Sequence, residues 1–489
     1  MLTSEALRWG GLRGRPIHMV GIKGNGMAAL AALLHSAGAS ISGSDTGESF
    51  FTDAVIERLG LEVRGGFDPS NIPPGTEVVV HSPAFDRTTN PELLAARERG
   101  LLILSYPEAL GAISRELDST GIAGSHGKTT TTALCAVLAR AIDLPATVLV
   151  PSLLPDLGDM PVHAGGRRFF VTETCEYRRH FLHFRPRRLV FTTIEAEHLD
   201  YYRDFDDVCD AFVSYARLLP KGGLLIHNAD DPGCRAVLSR LGGDAPELLA
   251  YGRGAPGDYR ILDTESKSGR VSFRLAGADL SFELHVPGAH NVYNATAALA
   301  LISALSGSPL SAQPVGSVRR LRAALAAFRG SKRRAEVVGE AGGIVVLDDY
   351  GHHPTEIATT LVGLKSFYAG RRLVADFMPH TYSRTRALFD DFTRCFDAAD
   401  ELILHRIYAS VREKDDGSVT GRALAEAVAR RRPSVSYFEE PRDALGYLAG
   451  SLRPGDAFVT MGAGDNWKLG RALLERIGSA GDSRAGAGP

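Results

Sequence analysis

The chain has 489 residues, 57 acidic and 55 basic side chains, and a formal net charge of −2. That length exceeds what one core ordinarily organises, so about two to four domains are expected. The near-neutral charge gives no electrostatic footprint for nucleic acid or a membrane surface. Five cysteines, odd in number and without CxxC spacing, read as reduced thiols in a cytoplasmic protein. The N-terminus lacks the basic-then-apolar pattern of a signal peptide, and Arg140 and Asp143 interrupt the best apolar run before it reaches spanning length.

In chain order, Ile17 to Ile22 reads as a short strand. It is followed by Gly21-Ile-Lys-Gly24-Asn-Gly26-Met27 and a helical run, Ala28 to Leu34. Strands and helices then alternate: Ala39-Ser-Ile-Ser, a helix around Asp53–Leu59, Glu77-Val-Val-Val-His, a helix Pro91–Arg99, and Leu101-Leu-Ile-Leu. Such alternation predicts a parallel sheet with right-handed crossovers. Asp45 falls at the end of the second strand, where a dinucleotide fold places its ribose-binding acid. A nicotinamide fingerprint counted from Gly21 requires Gly at 23, where Lys23 stands, which argues against a dehydrogenase. Two readings stay open for these glycines: a pyrophosphate at the helix N-terminus, helped by the Lys23 charge, or a tight turn that needs glycine for packing only.

The centre of the chain is Gly121-Ile-Ala-Gly124-Ser125-His126-Gly127-Lys128-Thr129-Thr130-Thr-Thr, between a strand and the helical run Ala133 to Ile142. Glycines at 124 and 127 let the backbone curl so that N–H groups face an anion ahead of a helix N-terminus. Lys128 adds a full positive charge and Thr129 a hydroxyl suited to Mg²⁺. Ile122 stands where the full eight-residue signature has Gly, so an ordinary Gly-rich turn is the competing reading; Gly-Lys-Thr-Thr between strand and helix favours ATP binding. Further on, Arg168 to Tyr177 and Arg188 to Tyr202 are apolar strands with abruptly polar ends. Those ends carry Glu173 and His198 toward the P-loop side of an open parallel sheet, where with Thr129 they suit divalent metals carrying phosphate. Another strand, Leu224 to Asn228, follows, then short antiparallel strands from Tyr259 to Val286 with a Ser-Gly turn near 268–269. Asn291 and Asn294 share one face of the next helix; they read either as nucleobase-binding amides or as an N-cap with a solvated neighbour.

A third alternation opens at Gly343-Ile-Val-Val-Leu-Asp348-Asp349-Tyr350-Gly-His352-His353-Pro354, with Pro354 in the first helical turn. Leu373 to Met378, Glu401-Leu-Ile-Leu and Ala457 to Met461 continue it. Asp349, His352, His380 and Arg384 form a polar group at its strand ends, with solvated loop residues as the competing reading. By composition 479–489 is a disordered tail.

Assembled, these segments resemble the Mur ligase family: Gly21–Met27, Ser42-Gly-Ser44-Asp45, Gly124–Thr132, Glu173–Tyr177, Glu197-His198-Leu-Asp200, Asn228-Ala-Asp-Asp-Pro, Pro287–Asn294, Asp348–Glu356, Pro379–Thr385 and Gly462–Asp465. The first and eighth look like the alanine-adding branch and the peptide-recycling ligase. The resemblance implies an α/β protein of three domains: a Rossmann-like UDP-binding domain (1–115), a central P-loop ATPase-like parallel sheet with a small antiparallel sheet (116–327), and a C-terminal Rossmann-like domain (328–478). It implies ATP and Mg²⁺ as cofactors and UDP-N-acetylmuramate and L-alanine as substrates, joined at the lactyl carboxylate through an acyl phosphate; adding a tripeptide is the alternative. A monomer or homodimer in the cytoplasm is expected. By resemblance Gly124 to Thr130 hold ATP phosphates, with Lys128 on the β/γ-phosphates. Thr129 and Glu173 hold one Mg²⁺ and His198 a second, while His290, Asn291 and Asn294 lie near adenine. Gly24, Asn25, Gly26, Met27, Ser44, Asp45 and Ser82 receive the UDP moiety, and Tyr350, His352, His380 and Arg384 face the amino-acid cleft. Three positions depart from the family: Lys23 replaces a Gly, Thr381 stands where Arg is common, and Glu173-Thr-Cys-Glu-Tyr replaces Glu-Ala-Asp-Glu-Ser. A P-loop switch without catalysis would leave Glu173, His198 and the third segment unexplained.

Overall fold

The computed structural model describes residues 7–485 apart from 200, 268, 410–412, 414, 416 and 433. Asp200 of the matched segments, Ser268 of the expected turn and the last four residues of the tail therefore lie outside the described residues. By their internal contacts the described elements form two compact bodies. The first comprises Met1–Asp263, Phe273–Phe282 and Tyr293–Phe328, and the second Thr264–Ser272, Glu283–Val292 and Arg329–Pro489.

The first body holds two sheets. Strands β1 (Pro16–Val20), β2 (Ser40–Asp45), β3 (Val63–Gly65), β4 (Val78–His81) and β5 (Leu102–Ser105) lie in the order β3-β2-β1-β4-β5, all parallel. Helices α1 (Asn25–Ser36), α2 (Asp53–Arg58), α3 (Pro91–Glu98) and α4 (Tyr106–Glu116) make the crossovers. Chain order reverses between β1 and β4, so a crevice opens at their carboxyl ends, the usual ligand position in such sheets. The edge strand β3 escapes sequence reading because Val-Arg-Gly is too short and polar to show a period.

The second sheet contains β6 (Asp118–Ala123), β7 (Ala146–Leu154), β8 (Met160–Ala164), β9 (Phe169–Glu173), β10 (Arg188–Phe191), β11 (Leu224–Asn228) and β12 (Glu247–Tyr251). Its order is β12-β11-β10-β6-β9-β7-β8, parallel throughout except where β8 runs antiparallel to β7. Helices α5 (Lys128–Ala141), α6 (Phe205–Ala216), α7 (Pro232–Leu241), α8 (His290–Ser306) and α9 (Val315–Ala327) accompany it. Helix α1 is apolar all round: every residue from Met27 to Leu34 is buried, as in a helix enclosed on all sides. It packs on its own sheet and on β7 and β8. One continuous core thus runs from Ile17 and Met19 through Leu30 to Leu149, Phe170 and Phe191.

Strands β13 (Ile261–Lys267), β14 (Arg270–Leu275) and β15 (Phe282–Leu284) form the small sheet. The second body is built on β16 (Glu336–Ala341), β17 (Ile344–Asp349), β18 (Leu373–Phe377), β19 (Glu401–Leu404), β20 (Val435–Tyr437) and β21 (Ala457–Met461). Their order is β16-β17-β21-β18-β19-β20, with only β16 antiparallel. Helix α10 (Pro354–Phe367) opens on a His353/Glu356 capping box. The last helix, Trp467–Ala485, runs past the point where composition predicts loss of structure; extending a nucleated helix costs little, and Ala and Arg favour it. Among the described residues no helix is long and apolar enough to cross a membrane.

Candidate active site

Strand β6 ends at Ala123 and α5 starts at Lys128, so four residues make the turn. Gly124 has φ +145° and Gly127 φ +83°, conformations that other residues enter only with strain. A Cβ on Gly124 would lie 2.0 Å from Thr192 Oγ1, and one on Gly127 2.5 Å from Asn294 Oδ1. The loop is anchored by the exit of β10. Ser125 N–H donates to Thr193 O (2.7 Å), His126 N–H to Thr193 Oγ1 (3.1 Å), and Thr192 Oγ1 to His126 O (2.5 Å). The amides of Ser125 and His126 thus hold the loop to its neighbouring strand. The N–H groups of the first turn of α5 lack intrahelical partners, as at any helix start, and are of the kind that suits an anion.

Lys128 Nζ folds back to Ser125 O (3.0 Å), to Gly124 O and to the Glu176 carboxylate (3.0 Å). Burial alone would lower the lysine pKa, but Glu176 and Glu197 outweigh it and hold the ammonium charged. Glu176 is buried as well; against that penalty, Lys128 and His198 hold its carboxyl well below the usual range. Beside it, Glu176, Glu197 and His198 each present a ligand atom, all within 4.8 Å of one another. Among the described residues Glu197 Oε2 is buried with no hydrogen-bond partner, and burial raises its carboxyl pKa, with repulsion by Glu176 adding to the rise against His198's attraction. A buried carboxylate oxygen without a donor is costly, and a cation would relieve it, so the residues present fit a divalent metal. Thr129 Oγ1 donates to Glu173 Oε2 at 2.7 Å, bringing together the hydroxyl and carboxylate singled out in the sequence. His198 has φ +57°, an unfavourable conformation of the kind that clusters at functional sites, and its ring lies 4.7 Å from that of Tyr177.

Asn294 sits against this loop, with Oδ1 3.3 Å from Thr131 Oγ1; it is buried and so not the solvated neighbour of an N-cap. Asn291 is buried too and donates to Pro287 O (2.7 Å), whereas His290 is exposed.

At the first sheet, Gly21 (φ +78°) turns out of β1, and a Cβ there would lie 2.4 Å from Phe85 and 3.1 Å from Ser82 Cβ. Gly24 caps α1, whose first residues are Asn25, Gly26 and Met27. Asp45 Oδ2 accepts from Lys23 N–H and Oδ1 from Thr46 N–H, both at 2.7 Å. The Ser44 hydroxyl donates to Glu92 Oε2 (2.5 Å) in a buried network that also holds His18, so it braces the sheet; its carbonyl accepts from Gly21 N–H (2.8 Å). The Lys23 ammonium pairs with Asp53 (3.2 Å) and donates to Glu48 O (3.0 Å). Its charge ties α2 to the loop, which counts against the reading that Lys23 helps hold a pyrophosphate.

In the second body, Tyr350, His352, His380 and Arg384 come together. The His352 ring lies 5.4 Å from Tyr350 and 6.2 Å from His380, and Arg384 Nη1 donates to His380 O (2.7 Å). Burial, then the Arg384 charge, push the His352 pKa well down, so its imidazole is neutral. Thr381 Oγ1 donates to Glu413 (2.8 Å), which also accepts from Ser383 N–H (3.1 Å). Asp349 accepts from Ala335 and Gly351 N–H at 2.7 Å each; burial raises its pKa to about 6.

Sequence reasoning missed Glu176 and Glu197 as site residues. Both stood inside polar strand-end segments, the signal that brought Glu173 and His198 forward.

A looped lysine with carboxylates and an imidazole at neighbouring strand ends defines a nucleotide-dependent enzyme that handles phosphoryl groups. Residues 16–117 match the Mur ligase family catalytic domain, 122–302 the Mur ligase middle domain, and 333–464 the Mur ligase glutamate ligase domain. UDP-N-acetylmuramate–L-alanine ligase of Treponema pallidum is 47% identical over 463 residues, covering 94% of this chain and 96% of that protein. The crystal structure of UDP-N-acetylmuramate–alanine ligase from Thermotoga maritima superposes with TM-score 0.78 at 25% identity, covering 95% of this chain and 99% of that one. A murein peptide ligase from Psychrobacter arcticus shares the fold, with TM-score 0.69 at 24% identity over 95% of this chain and 99% of its own. The chain belongs to the Mur ligase family of ATP-dependent ligases.

Proposed function

We propose that this enzyme joins L-alanine to the lactyl carboxylate of UDP-N-acetylmuramate at the expense of ATP, in the cytoplasm, as a step of peptidoglycan precursor synthesis. Support comes from relatives of that name over nearly the full length. The observation that carries the reading is the convergence of Lys128, Thr129, Glu173, Glu176, Glu197 and His198 beside one loop. A carboxylate does not react with an amine at neutral pH, so it must first become an acyl phosphate. The first turn of α5 and Lys128 hold the β- and γ-phosphates and the charge that gathers on them during transfer. Thr129 and Glu173 hold one Mg²⁺, and His198 with Glu176 and Glu197 a second. Bound there, Mg²⁺ supplies charge that offsets the phosphate oxygens.

The glycine loop after β1, with Asp45 and Ser82, receives the UDP moiety, and Asn291 and Asn294 lie on the adenine side. Tyr350, His352, His380 and Arg384 position the amino acid from a third domain. The neutral His352 and charged Arg384 suit an amino group and a carboxylate respectively. The test is ATP-dependent phosphate release with UDP-N-acetylmuramate against a panel of amino acids and the tripeptide. Release that requires alanine supports the proposal; a preference for the tripeptide moves the enzyme to the peptide-recycling branch.

A further inference from the structure

Tyr106 is the first residue of α4, directly after β5, and so stands at the carboxyl edge of the first sheet. A Ser105/Glu108 capping box fixes this helix start: Glu108 Oε2 accepts from Ser105 N–H (2.7 Å) and Oγ (2.8 Å). The helix packs on the segment Tyr177–His183 that follows Glu173–Glu176, and so closely that a Cβ on Gly111 would lie 2.5 Å from His183 O. On its other side the Tyr106 ring lies over the first turn of α1. A Cβ on Gly26 would lie 2.8 Å from Tyr106 Cζ and 3.1 Å from its hydroxyl oxygen. The hydroxyl therefore stands beside the α1 N-terminus, in the region between the glycine loop and Glu173. Among the described residues it has no hydrogen-bond partner, and the side chain is half-buried.

We infer that the Tyr106 hydroxyl is a positioning donor for the diphosphate of the UDP-linked substrate, completing the anion site begun by the first turn of α1. This rests on the UDP-sugar reading above. The chemistry suits the place: a protonated phenol donates to a diphosphate oxygen without adding negative charge beside the neighbouring carboxylate. Burial first, then the neighbouring Glu173 and Cys175, push the phenol pKa up, so the donor proton stays on at working pH. Gly26 has a reason beyond helix entry, since any larger residue would displace the ring that carries the donor.

The test is Tyr106→Phe, which keeps the ring against Gly26 and removes only the hydroxyl. Calorimetric binding of UDP and of UDP-N-acetylmuramate to the full chain should weaken roughly 10-fold for both, as for a lost hydrogen bond to a charged group. ATP affinity and the unfolding midpoint should not change. Unchanged UDP affinity overturns the inference and leaves Tyr106 as packing for Gly26. Weakening confined to the UDP-sugar also overturns it, by placing the contact on the sugar. A wild-type chain that fails to bind UDP at all would instead sink the UDP-sugar reading.

Discussion

On the proposed reading, Lys128 is a side chain readied for a phosphate it must reach for. Its ammonium is satisfied by Glu176 and by its own loop carbonyls, so the charge is stored beside the anion site at no cost of an unpaired buried ion. Lys128→Ala should abolish ligation, lowering kcat on the order of 10²-fold or more, as when one donor to transition-state charge is removed. The chain should stay folded, but removing the ammonium leaves the buried Glu176 carboxylate without its cation, so the unfolding midpoint should fall; near-normal turnover would refute the assignment. Glu173, Glu197 and His198 make a different demand. Each variant to alanine should raise the Mg²⁺ concentration needed for half-maximal rate. A fall in activity at unchanged Mg²⁺ dependence would assign them a role other than ligation.

At the scale of elements, the strand–loop–helix units were legible because apolar runs with polar carboxyl ends have a recognisable period and direction. Helix α5 and the Gly124–Gly127 turn could be placed from glycine and lysine positions alone. Other features had no such signal. The meeting of Glu176, Glu197 and His198 depends on two loops that leave β9 and β10, and no spacing within one segment encodes it. The diversion of Lys23 to Asp53, and of Ser44 to Glu92, depends likewise on partners 30 and 48 residues away. The Gly127 position gives a test of the loop as an element. Gly127→Ala combines a left-handed backbone with a 2.5 Å approach to Asn294 Oδ1, strain of roughly 1–3 kcal/mol. ATP affinity measured by titration should fall at least tenfold while UDP binding stays intact. Loss of both together would mean that the whole body is disturbed.

For the whole molecule the question is which amine is accepted. A pocket for alanine has one methyl to contact, and a methylene is worth only about 1–3 kcal/mol, or roughly 10- to 200-fold. Glycine cannot be rejected strongly and serine adds only a hydroxyl, whereas valine and leucine overlap a packed wall. Measured kcat/KM should rank alanine first, glycine and serine within roughly a few hundredfold, and branched side chains nearly inert. Equal rates for alanine and valine would contradict a methyl-sized pocket.

The core that passes through α1 has a further consequence for how the chain melts. Helix α1 has no solvent-facing side between Met27 and Leu34, so the first sheet cannot detach without exposing apolar surface on β7 and β8 as well. Two sheets that share a core should lose structure as one cooperative block, although three sequence segments match three separate family domains. Scanning calorimetry of the ligand-free enzyme should therefore resolve at most two endotherms, one for each compact body. UDP and ATP should move the same endotherm upward, since each binds the native form of the same block. Three resolved transitions, with UDP and ATP shifting different ones, would show that the shared core does not couple the sheets.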